Sequence, residues 1–162
     1  MFLPPDVPVL PTHRLSPKNQ VTIPSKARAL LGEGESTVYG RTHSMPNPEG
    51  TQSHPILYLL TAAEMARRER AIRDDANKSP VAREILATKL HSMVEDMAID
   101  GQNRVVLPGR FVAHLSLDRD VFFVVTNSAI QIWNPAHYLT WAGLGPDGVA
   151  SDDRSLDSYL FL

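Results

Sequence analysis

No cysteine occurs in the 162 residues, so the chain has neither a disulfide framework nor thiolate chemistry. No apolar run approaches the roughly 20 residues that a membrane-spanning helix needs. Aromatic residues make up only 7% of the chain, which allows a real but modest core. Catalytic signatures are missing too. There is no phosphate-binding P-loop, no Gly-x-Ser-x-Gly and no His-Glu-x-x-His. The six histidines, His13, His43, His54, His91, His114 and His137, do not cluster with carboxylates at metal-ligand spacing. His43 and His54 share one loop-like stretch and read as a solvated pair. The expectation is a protein that is not an enzyme and needs no cofactor or metal. The start carries four prolines in eleven residues and no basic leader segment, so it does not read as a signal peptide. A soluble cytoplasmic protein is expected.

What the chain does have is an internal repeat. Residues 16–31 read SPKNQVTIPSKARALL and residues 100–115 read DGQNRVVLPGRFVAHL. A constant shift of 84 aligns Asn19 with Asn103, Val21 with Val105, Ile23 with Leu107, Pro24 with Pro108 and Leu31 with Leu115. Each copy is a polar turn, a short apolar strand, a proline and a short basic helix. Two related half-domains facing a partner in similar ways follow from such a pattern. A half-repeat of about 50 residues buries too little surface to be stable alone, so strand exchange or oligomerisation is expected.

Net charge is −2, which alone argues against a polyanionic partner, but the distribution is uneven. Residues 12–32 hold Arg14, Lys18, Lys26 and Arg28 with no acid. After Gly143 come Asp147, Asp152, Asp153 and Asp157 against the single Arg154. A local basic patch holds phosphates even on an acidic chain.

Along the chain, His13 to Leu15 opens a strand and residues 16–19 form a turn. Val21 to Ile23 is β-branched and reads as strand. Pro24 is placed at the first helical position, with Gly32 ending that helix. Thr37 to Tyr39 and Ile56 to Leu60 read as strands, with Arg41 to Pro55 as loop between them. In the second copy, Arg104 to Leu107, Val121 to Thr126 and Ala129 to Trp133 are strands, the last two joined by an Asn127-Ser128 turn. The shift falls from 84 to 73 across this region, which places an 11-residue insertion in the first copy's loop. Thr61-Ala62-Ala63-Glu64 reads as a capping box, and Ser79-Pro80 and Asn134-Pro135 as further helix starts. Residues 66–78 read as a solvated helical face. On the helix begun by Ser79, Val81, Ile85, Leu86, Leu90, Met93, Val94 and Met97 read as one apolar stripe for core or subunit packing.

The phrase NQVTIPSKAR resembles the swapped-hairpin DNA-binding element of the AbrB and SpoVT superfamily. Two copies in one chain of this length, opened by Met1-Phe2 and carrying Ile132-Trp133-Asn134-Pro135 with Trp141, resemble the MraZ family. The family's hallmark is an Asp, three residues and an Arg in each copy. The second copy keeps it as Asp100 and Arg104, whereas the first has Ser16 and Gln20 in those places. Asn19 and Asn103 stand where glycine is usual, and asparagine tolerates the left-handed backbone better than most residues. Arg28 keeps the arginine of the short helix, which the second copy replaces with Val112.

The resemblance implies an α+β, β-rich fold of two swapped-hairpin half-barrels with flanking helices. Its divisions would be 1–61 for the first repeat, 62–97 for connecting helices, 98–142 for the second repeat and 143–162 for an acidic tail. It implies a transcriptional regulator acting on the division and cell-wall gene cluster, including its own promoter. The expected partners are double-stranded DNA carrying promoter repeats and further copies of the chain in a ring. No membrane is expected. Arg104 suits guanine bidentately, while Gln20, Asn19 and Asn103 suit adenine. Arg14, Lys18, Lys26, Arg28 and Arg110 are candidates for phosphate, and Asp100 for orienting Arg104. The competing readings are a protein-binding scaffold on the same fold and an AbrB-type antitoxin.

Overall fold

The computed structural model describes residues 10–47 and 49–143. The proline-rich start and the acidic tail with its apolar end, Tyr159 to Leu162, lie outside the described residues. Among the described residues, eight strands and five helices follow in the order β1 (His13–Arg14), β2 (Gln20–Thr22), α1 (Ser25–Leu31), β3 (Thr37–Pro46), β4 (Ser53–Leu60), α2 (Ala62–Arg73), α3 (Pro80–Ser92), β5 (Val94–Ala98), β6 (Arg104–Val106), α4 (Gly109–His114), β7 (Asp120–Val125), β8 (Ile130–Trp133) and α5 (Pro135–Trp141). The fold is mixed α+β and strand-rich.

The two copies are interlocked rather than side by side. Six strands form one antiparallel sheet in the order β1-β7-β8-β4-β3-β5, and β2 pairs with β6 in a separate ribbon. The first strand of each copy has crossed into the other: β1 pairs with β7, and β5 pairs with β3. The register repeats with a one-residue slip, since His13 faces Val121 while its equivalent Met97 faces Val38, 83 residues before Val121. Because β1 runs into β2 and β5 into β6, the ribbon ties the two edges of the large sheet together.

The core follows the repeat. Leu15 and Ile99, Val21 and Val105, Ile23 and Leu107, Leu31 and Leu115, Leu57 and Ile130, and Leu59 and Ile132 are equivalent positions, and all are buried in one cluster. The symmetry breaks at Ala27, whose equivalent is Phe111; both are fully buried. Gly40 on β3 makes room for that ring. A Cβ there would lie 2.7 Å from Phe111 Cε2 and 3.0 Å from Met97 Cε.

Four local expectations are corrected. Residues 41–55 are mostly strand, because β3 and β4 pair continuously from Tyr39 with Leu60 to Pro46 with Ser53. Their polar residues flank a hairpin whose tip is closed by Asn47, whose Oδ1 accepts from Thr51 N and Gln52 N. Ten residues of the expected insertion lie in this hairpin, since Tyr39 pairs with Leu60 whereas the equivalent Phe122 pairs with Trp133. Pro24 caps α1 from an extended conformation instead of starting the helix, and Arg28 N donates to its carbonyl. Thr61 Oγ1 does accept from Glu64 N, but the Glu64 carboxylate pairs with Arg67 and Arg68 rather than completing a capping box. Val94 and Met97 belong to β5, not to the helix. Of the stripe on α3, Val81 is 70%, Ile85 50%, Leu86 37% and Met93 41% exposed, so this face is not core. The α2–α3 pair is held by Arg73 to Glu84 at 2.5 Å and by His91 to Glu69 at 3.1 Å. Among the described residues no helix is long and apolar enough to cross a membrane.

Candidate nucleic-acid interface

The two repeat turns lie at the two ends of the β2–β6 ribbon. Val21 faces Val105, Gln20 faces Val106 and Thr22 faces Arg104. Alternation along each strand points Val21 and Val105 into the core and leaves Gln20, Thr22, Arg104 and Val106 on the outer face. Burial agrees: the two valines of the central pair are buried, whereas Val106 is 53% exposed. Ile23 N donates to Asn103 O at 2.7 Å, and Leu107 N donates to Asn19 O at 2.8 Å. Each turn therefore holds the strand end of the other copy.

Both turns have the same backbone. Asn19 at φ 62° and Asn103 at φ 60° occupy the left-handed region, as expected of asparagine in a glycine position. Asn19 N donates to Ser16 O, and Asn103 N to Asp100 O. Inside the second turn, Asp100 Oδ1 accepts from Gln102 N and from Arg104 N, both at 2.9 Å. In the first, Ser16 Oγ accepts from Lys18 N at 3.2 Å and from Gln20 N at 3.0 Å. Serine thus reproduces one carboxylate oxygen. The difference lies in the second oxygen: Asp100 Oδ2 takes Arg104 Nε at 2.8 Å, and Ser16 has nothing equivalent to offer Gln20.

The backbone N–H of Arg104, then its side chain and Gln102 N, stabilise the charged form of Asp100 and hold its carboxyl below the usual range. An Arg–carboxylate pair this exposed adds little to stability, because solvent screens it. Its consequence is geometric: Nε is engaged, and the two Nη groups remain to meet a ligand end-on.

The remaining predicted cations differ in their freedom. Lys18 at the turn and Lys26 on α1 are exposed. Arg14, also exposed, borders a hollow with Asp118 and Arg119. Arg28 Nη2 donates to Glu35 O at 2.7 Å, which anchors the end of α1. Arg110 is bound to Glu95 at 2.6 Å and lies over the Phe111 ring. The structure therefore brings Asn19, Gln20, Asp100, Asn103 and Arg104 onto one ribbon, with Lys18 beside them, and engages Arg28 and Arg110 within the chain. Sequence reasoning missed Thr22 and Val106 as outer-face residues. Strict alternation around Val21 and Val105 was the available signal.

A family model described as "MraZ protein, putative antitoxin-like" matches residues 94–142, which span β5 to α5. The chain is 31% identical over 124 residues to the transcriptional regulator MraZ of Chlorobium phaeobacteroides strain DSM 266, a stretch covering 76% of this chain and 79% of the relative. It is 27% identical to the protein of the same name from Ruegeria pomeroyi, over 78% of this chain and 75% of that one. Against the Desulfitobacterium hafniense DCB-2 protein of that name the identity is 24% over 89% of this chain and 92% of the other. With the interlocked repeat and the Asp100–Arg104 turn in place, this similarity over most of both chains shows that the chain belongs to the MraZ family.

Proposed function

We propose that this protein is a transcriptional regulator that binds double-stranded DNA through the outer face of the β2–β6 ribbon and its two turns. The observation that carries the reading is the Asp100–Arg104 pair beside its pseudo-equivalent Ser16–Gln20. One guanidinium is held by Nε with both Nη groups open, which is the donor fork that guanine O6 and N7 accept. Gln20 sits diagonally across the ribbon, roughly 7–8 Å away by strand geometry, and an amide suits adenine. Lys18, Lys26 and Arg14 supply phosphate contacts, which position the protein without reading sequence. Asp100 and Asn103 hold Arg104 in place, and Asn19 does the same for Gln20. Arg28 and Arg110 join the DNA only by giving up their present partners.

The two halves differ, so the protein reads two unlike half-elements rather than a symmetric one. The names of the relatives support regulation of transcription, and the resemblance supports a target in the division and cell-wall gene cluster, its own promoter included. Self-association is part of the same reading. The exposed Val81, Ile85 and Leu86 on α3, with Met93 at its C-cap, form an apolar face that suits contact between copies, and a ring would present several ribbons to promoter repeats with a gain in effective concentration. A cytoplasmic, nucleoid-associated location follows from that function.

Fluorescence anisotropy with duplex from upstream of the protein's own gene, beside a scrambled duplex, tests the proposal. Tighter binding to the native duplex supports it; equal and weak binding to both moves the function to protein–protein assembly on this fold.

A further inference from the structure

A cleft of about 400 Å³ opens between β3, β4, the start of α2 and the β7–β8 turn. Its walls gather three arginines, Arg41, Arg67 and Arg68, around one acid, Glu64. Glu64 is already shared by Arg67 and Arg68. Arg41 is left over. Its side chain makes no hydrogen bond or ion pair among the described residues, and its Nε is buried without an acceptor, as is Arg68 Nε. A half-buried guanidinium whose Nε has no acceptor is left with unmet hydrogen-bonding capacity, which an outside anion can satisfy. The neighbouring imidazole feels the same imbalance: burial, and then the charge of Arg41, hold the His43 pKa below its ordinary value. Tyr58, opposite Arg41 across the β3–β4 ladder, packs its ring at 5.4 Å from that of His43.

One end of the cleft is apolar. A second hollow of about 290 Å³ shares Leu60, Glu64 and Arg67 with the first and continues over Leu30, Leu31 and Leu59. Neither belongs to the ribbon. Thr37 pairs with Ala98 next to the Asp100 turn, and Arg41 lies four residues farther along β3, roughly 13 Å at strand rise.

We propose that this cleft binds an oxyanion, a phosphate or carboxylate, carried on an apolar or aromatic body, with Arg41 as its principal counterion. Such a group has two sources: a diffusible small molecule, or the aspartates of the chain's own segment beyond Gly143.

The test is thermal unfolding of the full chain titrated with inorganic phosphate and with phenyl phosphate, since a ligand that binds only the folded state raises Tm saturably. The expected result is a saturable rise, larger for phenyl phosphate at equal concentration, that Arg41→Gln abolishes and Arg104→Ala leaves intact. Without ligand, Arg41→Gln unfolds at the same or a higher temperature, because it removes an unpaired cation; loss of the response is then not loss of the fold. If only a chain with Asp152, Asp153 and Asp157 changed to Asn responds, the tail supplies the oxyanion and the site stands. No saturable rise in either chain, or an equal rise in Arg41→Gln, would overturn the proposal.

Discussion

Val21 and Val105, equivalent positions of the internal repeat, are direct partners across the β2–β6 ribbon, and both are buried. A pseudo-twofold axis passes between them. It passes again between Tyr58 and Gln131, which pair on β4 and β8 and are equivalent under the shorter shift of the second half. The chain is thus a fused pair of exchanged hairpins, and its outer ribbon presents one arginine turn and one glutamine turn related by that axis.

The two asparagines at positive φ give the first prediction. Left-handed backbone costs an ordinary L-residue roughly 1–2 kcal/mol. Asn103→Ala is expected to destabilise by about 1 kcal/mol, while Asn103→Gly leaves stability within a few tenths. Urea unfolding of the two variants checks the order; equal loss in both contradicts the turn geometry.

Ser16 gives the second. Its hydroxyl accepts from Lys18 N and Gln20 N, much as a helix-capping serine does. Ser16→Ala is expected to cost about 1 kcal/mol, by analogy with the loss of a cap. Ser16→Asp keeps the acceptor and is expected to be neutral. With Gln20→Arg added, it rebuilds the pair of the second copy, and duplex affinity is expected to rise. A fall in affinity for the rebuilt variant would count against the ribbon as the reading surface.

Packing at Gly40 gives the third. An added Cβ meets the edge of the buried Phe111 ring at 2.7 Å, and the ring has no solvent to move into. Gly40→Ala is expected to destabilise by about 1–3 kcal/mol, and Phe111→Leu in the same chain is expected to recover part of that loss. Thermal unfolding of the single and double variants reads the coupling.

Much of this architecture was legible in the sequence because the repeat is legible. The shift of 84 placed both turns, both apolar strands and the left-handed asparagines, and the capping residues Ser79 and Asn134 marked two helix starts. The long arms of the β3–β4 hairpin were not. Their histidines, prolines and serines read as loop, and only pairing with each other, flanked by β5 and β8, makes them strand. The α3 stripe was extended too far because Val94 and Met97 continue its apolar character into a strand. The isolation of Arg41 could not be read at all, since it depends on which acids the fold brings near, and Glu64 is taken by α2's own arginines.

His43 provides the fourth prediction. Burial first, and then the Arg41 charge, lower its folded pKa below 6.5. Its contribution to stability is therefore complete above the unfolded value and is lost as pH falls below 6.5, where the unfolded chain takes up the proton first. His137 acts in the same direction, through burial and then His54. Ring-proton NMR titration should place the His43 midpoint below 6.5, and Arg41→Gln should move it upward without restoring it fully. An unchanged midpoint in that variant would show that Arg41 does not act on the imidazole.

Self-association provides the fifth. Ile85→Glu puts a charge on the exposed apolar face of α3 and is expected to leave folding intact while shifting sedimentation velocity toward the monomer. A wild-type chain that sediments as a monomer at all concentrations would remove the basis for a ring.

The central claim is that Arg104, held by Asp100 on the outer ribbon, reads DNA. The most direct measurement is anisotropy of the native upstream duplex with wild-type protein, Arg104→Ala and Lys26→Gln across a salt series. The account predicts a steep loss of affinity with salt for wild type. Arg104→Ala should weaken native duplex by about 1–3 kcal/mol and narrow its margin over the scrambled duplex, whereas Lys26→Gln should weaken both duplexes alike and flatten the salt slope. Arg104→Ala binding both duplexes as the wild type does would contradict the account.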